Sequence, residues 1–221
     1  MEAMDFRVPE GRALRVVGKV SGLCPCDVFR QFFSCGPSVF ADLAKPGHRS
    51  CAMKLPANLE KALNDQINLE FQSAYAYLGM AAYFEHTAFS GFAEWMKLQG
   101  QEELGHANKF FGYVVDRGGK VALQAIDQPK CEFGSALEAF KTSLVQEQKV
   151  SAAICGLYAL ATAEKDFASL SFLNWLLDEQ VEEEKTVSDM IVKLEFVGDT
   201  RNGLYQVDQL AAKRAAADVG K

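Results

Sequence analysis

From Pro56 onward, apolar residues return at the spacing of helices that each bury one face. Leu59, Leu63, Ile67, Ala74 and Leu78 recur at four- and seven-residue steps. Pro56 suits a first helical turn, where a missing N–H costs nothing. This spacing predicts a first helix over about residues 56–86. A second, about 90–117, opens at Ser90, a plausible cap, and stops at Gly118-Gly119. The polar stretch KVALQAIDQPKCEFG, broken by Pro129 and Gly134, separates it from a third helix over about 135–164. Ser135 and Glu138 form a capping box at its start. Asp166 can cap a fourth helix, about 167–197, which Gly198 ends. DTRNG reads as a turn and LYQVDQLAAKRAAA as a short last helix. The period-2 alternation that marks strands is missing, so the expected fold class is all-α.

Four helices of about 27 residues would each be roughly 40 Å long. The short joints after the first and third helices predict two antiparallel hairpins. The middle connection of about 15 residues reaches ~50 Å when extended, enough to travel the whole length of a bundle. The third helix then starts at the same end as the second. The architecture expected is a four-helix bundle, up-down-down-up, with one long crossover and a short fifth helix.

Composition narrows the function classes. Hydrophobic residues make up 49% of the 221, enough for a sizeable core. No apolar stretch approaches the ~20 residues of a membrane span. A net charge of −6 disfavours nucleic acid and anionic membranes as partners and is compatible with handling cations. The charge divides near residue 52. Residues 1–52 carry seven Lys/Arg and five acids, which leaves the rest at −8. They also hold Cys24, Cys26, Cys35 and Cys51. Cys24-Pro25-Cys26 is not the C-x-x-C of a zinc or redox site, so reduced thiols are expected. No signal peptide is evident, and five acids fit poorly with a transit peptide. Residues 1–52 read as an extension, processed or disordered, and 53–221 as the folded domain. The location expected is cytoplasmic, or a plastid or mitochondrion if the extension is a processed leader.

The candidate chemistry lies in QGQEELGH, residues 99–106. Glu102, Glu103 and His106 fall within an arc of about 100° on the second helix. Glu103-x-x-His106 is the i, i+3 pair with which a di-iron bundle reaches one metal from one helix face. Trp95, Leu98, Leu104, Phe110 and Val114 are apolar over the same turns, so part of this acidic arc borders the core. Buried carboxylates demand a compensating cation or donor. The first helix adds Glu70 on a stripe with Ile67 and Tyr77, and the third adds Glu147 below Ser151, Ile154 and Tyr158. On the fourth, Glu179, Gln180, Glu182 and Glu183 span about 160°, too wide for one ion but suited to two sites that share a ligand. His48 and His86 stand apart from these stripes and read as surface or packing residues, and Trp95 and Trp175 as core.

NDQINLEFQSAYAYL, QEELGH, VQEQ, FLNWLLDEQVEEEK and GLYQVDQ, in this order and spacing, resemble the ferritin family, specifically its non-haem bacterial type. The resemblance covers about residues 54–212. It implies iron storage with ferroxidase activity, Fe(II) being oxidised by dioxygen or hydrogen peroxide at a di-iron centre inside each subunit. It also implies a hollow homo-oligomeric shell of about 24 subunits. Glu70, Glu103 and His106 would hold the first iron. Glu103 would bridge to a second, completed by Glu147 and Glu183 with Gln180 nearby. Glu102, Glu179 and Glu182, sharing Glu183, would form a third iron site. Tyr77 matches the tyrosine beside the centre. The alternative is a non-storage di-iron oxidase or peroxidase of the rubrerythrin or bacterioferritin kind. Those relatives repeat E-x-x-H on the last bundle helix, where this chain has Gln180-x-x-Glu183. Leu104 stands where a bacterioferritin places its haem methionine, so no haem is expected. Leu170 and Leu173 stand about where animal-type ferritins line a pore with acids, which leaves the path of incoming iron open.

Overall fold

The computed structural model describes residues 54–218, with side chains as far as Lys213. The expectations for residues 1–52, including Cys24, Cys26, Cys35, Cys51 and His48, lie outside the described residues. Five helices follow one another: α1 (Ala57–His86), α2 (Ser90–Asp116), α3 (Ala136–Glu164), α4 (Phe167–Val197) and α5 (Arg201–Asp218). There is no strand among the described residues.

Local signals set most of the helix ends. The Ser135 hydroxyl accepts from the Glu138 N–H at 3.1 Å, and Asp166 accepts from the Ser169 N–H at 3.0 Å. The Glu138 carboxylate returns to the N–H of Gly134 at 2.7 Å, one residue short of the expected box partner. Pro56 takes the cap position itself, with extended backbone, and does not enter the first turn. Ser90 departs from expectation. It is already helical, and Phe89 stands at the cap without a side-chain cap bond. The missing acceptor comes from a distant part of the chain, because Asp208 of α5 receives the Phe92 N–H at 2.8 Å. The turn after Gly198 is also shorter than DTRNG, since α5 begins at Arg201.

Helices α1 and α2 form one hairpin and α3 and α4 the other. The crossover runs the length of α1. Asn64 donates to the Lys120 carbonyl at 2.9 Å and accepts from the Ala122 N–H at 2.6 Å. Farther along, Gly79 lets the strap in close: a β-carbon there would lie 2.7 Å from the Lys130 carbonyl oxygen. The Phe133 ring then meets Tyr83, 5.3 Å between centroids. The strap thus delivers α3 to the end where α2 begins, the expected up-down-down-up order. The Asn64 amide thus satisfies one carbonyl and one N–H of the strap, which has no ladder of its own.

The bundle has two apolar half-cores. One packs Phe84, Phe92, Trp95, Phe140, Val187 and Leu194 with Val207 and Ala211 of α5. The other packs Leu63, Ile67, Phe110, Ile154, Leu173 and Leu176. Fully burying each large side chain contributes about 1.5–3 kcal/mol, so the two ends supply most of the apolar packing that holds the helices together. Leu78 does not join them and is exposed. On α1 the core-facing line passes instead through Tyr77, Met80, Ala81 and Phe84. No described helix is long and apolar enough to cross a membrane.

Candidate metal centre

Between the two half-cores the inward positions turn polar. On α1, Gln66, Glu70, Ser73 and Tyr77 follow at four-, three- and four-residue steps, so they share one face, and all are buried. Glu103 and His106 enter from α2, Glu147 from α3, and Gln180 with Glu183 from α4. Glu70 and Glu147 are 0% exposed, which leaves bulk water no part in solvating them.

These groups converge. Glu70, Glu103 and His106 bring ligand atoms within 4.8 Å of one another, and so do Glu103, Glu147 and Glu183. Glu103 belongs to both sets. A third set joins His106 and Glu183 to the exposed Glu179. Glu102 and Glu182 are exposed and belong to none of the three. Glu102 accepts from the Gln99 amide at 2.7 Å. Around the sets, Gln66 donates to Glu70 at 2.8 Å, and the Tyr77 hydroxyl donates a short hydrogen bond to Glu147.

Four buried carboxyls face one another here, and each is held above its ordinary range. Burial first, then the Glu147 charge, pushes Glu103 up to about 8. Burial and the neighbouring Glu103 and Glu147 push Glu183 up to about 11. Burial and the Glu103 charge raise Glu70 well above the carboxylate range, and burial raises Glu147. The His106 pKa is lowered, chiefly by burial, which favours the neutral ring. The contacts of its Nδ1 with Glu103 at 3.7 Å and Glu183 at 3.9 Å are too long for hydrogen bonds. Among the described residues, the buried side-chain atoms lacking a hydrogen-bond partner include Glu70 Oε2, both Glu103 oxygens, His106 Nδ1, Gln180 Oε1 and Glu183 Oε2. Unpaired buried polar atoms are expensive, and apart from Ser73 Oγ and Trp95 Nε1 those here belong to carboxyl, imidazole and amide groups that can ligate metal. Carboxylates and one imidazole suit iron in its divalent and trivalent states.

A model of the ferritin-like domain matches residues 60–197. The chain belongs to the ferritin family. Its similarity to the bacterial non-heme ferritin of Staphylococcus aureus (strain USA300) is 46% identity over 151 residues, 68% of this chain and 91% of that protein. The Staphylococcus haemolyticus bacterial non-heme ferritin is 44% identical over 161 residues, 73% of this chain and 97% of the other. Among solved structures, an open pore ferritin from the hyperthermophilic archaeon Archaeoglobus fulgidus superimposes with a TM-score of 0.71. The two are 42% identical, and the match covers 72% of this chain and 98% of that one.

Seen as a ferritin, several expectations need correction. Leu104 faces outward, because the 100° step from Glu103 carries it off the buried line. Leu173 is fully buried in a half-core of the subunit. Trp95 is core, but Trp175 is only partly buried. Its ring meets His106 edge-on at 5.4 Å and lies 3.8 Å from the Lys109 ammonium. His86 is exposed at the end of α1, as expected. Sequence reasoning missed Gln66, although its place four residues before Glu70 on an otherwise apolar face was a usable signal. It also missed Asp208, for which the local sequence offered none.

Proposed function

We infer that this ferritin stores iron and oxidises Fe(II) to Fe(III) at an intrasubunit di-iron centre. The observation that carries this reading is the sharing of Glu103 by two buried ligand sets, one with Glu70 and His106 and one with Glu147 and Glu183. In this reading Glu70, Glu103 and His106 hold the first iron, with His106 offering the Nδ1 lone pair. Glu103 reaches across to the second iron, held also by Glu147 and Glu183, with the Gln180 carbonyl oxygen as a weaker donor.

Each Fe(II) gives up one electron. The two electrons, with two protons, reduce dioxygen to hydrogen peroxide, or hydrogen peroxide to two waters. The acids raised by burial lose their protons as cations arrive, and the resulting anionic cage favours Fe(III) over Fe(II). Tyr77, held protonated by burial and the nearby Glu147 charge, keeps Glu147 oriented through its hydroxyl. A third iron site would use Glu179 and Glu183 with Glu102 and Glu182. The exposure of Glu102, Glu179 and Glu182 suits a station between the centre and a mineral core. Twenty-four subunits would close the shell, in the cytoplasm, or in a plastid or mitochondrion if residues 1–52 are a leader.

The test combines oxidation with size. Fe(II) added in air should raise the near-ultraviolet absorbance of Fe(III)–oxo species, and Glu103→Ala or His106→Ala should remove the fast phase. Native mass should give a shell. A subunit-sized species, or a fast phase indifferent to both substitutions, overturns the reading.

A further inference from the structure

Gln180 is the one amide among the ligand candidates, and its usefulness depends on which way it faces. An amide turned one way presents oxygen to a cation, and turned the other way presents an NH2 group that repels it. Three acceptors surround its nitrogen. Gln180 Nε2 lies 3.3 Å from the Glu147 carbonyl oxygen, 3.4 Å from Glu147 Oε2 and 3.2 Å from Ser151 Oγ. The opposite atom, Oε1, is buried and has no hydrogen-bond partner.

The Ser151 hydroxyl could in principle serve either end of the amide, since it both donates and accepts. Its single hydrogen is already committed, because Ser151 Oγ donates to Glu184 Oε1 at 2.5 Å. An ionised carboxylate can only accept. With its hydrogen spent on Glu184, Ser151 has only lone pairs to offer Gln180, and only the NH2 end can use them.

We propose that the Ser151–Glu184 pair, reaching inward from the half-buried edge of α3 and α4, works with the two Glu147 oxygens to hold the amide of Gln180 so that its oxygen faces the second metal position. Ser151 and Glu184 are positioning residues; neither belongs to the three ligand sets. Without Glu184, the Ser151 hydroxyl can rotate and donate to Gln180, so the flipped amide, with nitrogen toward the metal, gains one bond and is opposed only by the two Glu147 oxygens. The second ion then loses a donor in part of the population. Partners that orient a ligand in this way typically change metal affinity by about 10–100-fold, and a weak neutral ligand belongs at the lower end.

The proposal rests on the di-iron reading, and its test separates the two. Co(II) is titrated into the metal-free, full-length assembled protein and followed by visible absorption and calorimetry. Glu184→Ala and Ser151→Ala should weaken the second binding step about tenfold and leave the first unchanged. Ser151→Thr, which keeps the hydroxyl, should bind like the parent. In a Gln180→Glu background, where oxygen faces inward in either orientation, Glu184→Ala should lose its effect. A second step unmoved by Glu184→Ala and Ser151→Ala, or equally weakened in the Gln180→Glu background, overturns the proposal. If Glu103→Ala and His106→Ala leave both steps intact, the di-iron reading has failed instead.

Discussion

Tyr77 on α1 donates its hydroxyl hydrogen to Glu147 on α3, although both side chains are 0% exposed. This bond crosses between the two hairpins at the level where the apolar packing is interrupted. It gives Glu147 a donor even without metal, which Glu103 lacks. Removing the donor strands the acceptor away from water. Tyr77→Phe should lower the stability of the iron-free protein by about 1–3 kcal/mol, measured by denaturant unfolding. An unchanged midpoint would mean that the bond contributes nothing in solution.

The raised acids make a pH prediction with a definite sign. Glu103 near 8 and Glu183 near 11 keep protons in the folded protein that the unfolded chain sheds around its ordinary value of 4.5. Their stabilising effect is complete below that value and is lost as pH rises through the folded-state values. The thermal midpoint of the iron-free protein should therefore fall between about pH 6 and about pH 9, and anaerobic Fe(II) should remove most of that slope. Fe(II) binding near neutrality should also release protons, readable with an indicator dye. A midpoint that rises with pH in the iron-free protein would falsify this account of the cage.

Within the proposed ligand sets, Glu147 and Glu183 serve the second iron. Glu147→Ala and Glu183→Ala should reduce anaerobic Fe(II) binding from two ions per subunit toward one, and slow oxidation at least tenfold. For Glu102→Ala and Glu182→Ala, on the exposed arcs, the initial burst should persist while later iron uptake changes. Stopped-flow absorbance distinguishes these outcomes, and loss of the burst in the exposed pair would contradict the division.

The fifth helix depends on a glycine. A β-carbon on Gly91 would lie 2.0 Å from the Asp208 carbonyl oxygen, so Gly91→Ala must push α5 away from α2. The displacement should also cost Phe92 its cap, worth about 1 kcal/mol. The expected outcome is a lower thermal midpoint and faster proteolysis within residues 199–213. Asp208→Ala should be milder, since it removes the cap without the clash. Resistance of Gly91→Ala to protease at the parent level would show that α5 accommodates the change.

The helices, the hairpins and the long crossover could be read along the chain, because apolar periodicity and the caps at Ser135 and Asp166 act within a few residues. It also carried Glu103-x-x-His106, whose spacing is a property of one helix. Which of two neighbouring acids turns inward was settled by packing between helices. Glu102 and Glu103, like Glu182 and Glu183, differ by a single 100° step, and the direction of the bundle axis selects one of each pair. Tertiary structure likewise brought Asp208 to the start of α2 and set the Gln180 amide between Glu147 and Ser151. Those arrangements join residues tens of positions apart, and a hydrogen bond's direction exists only once both of its helices are packed.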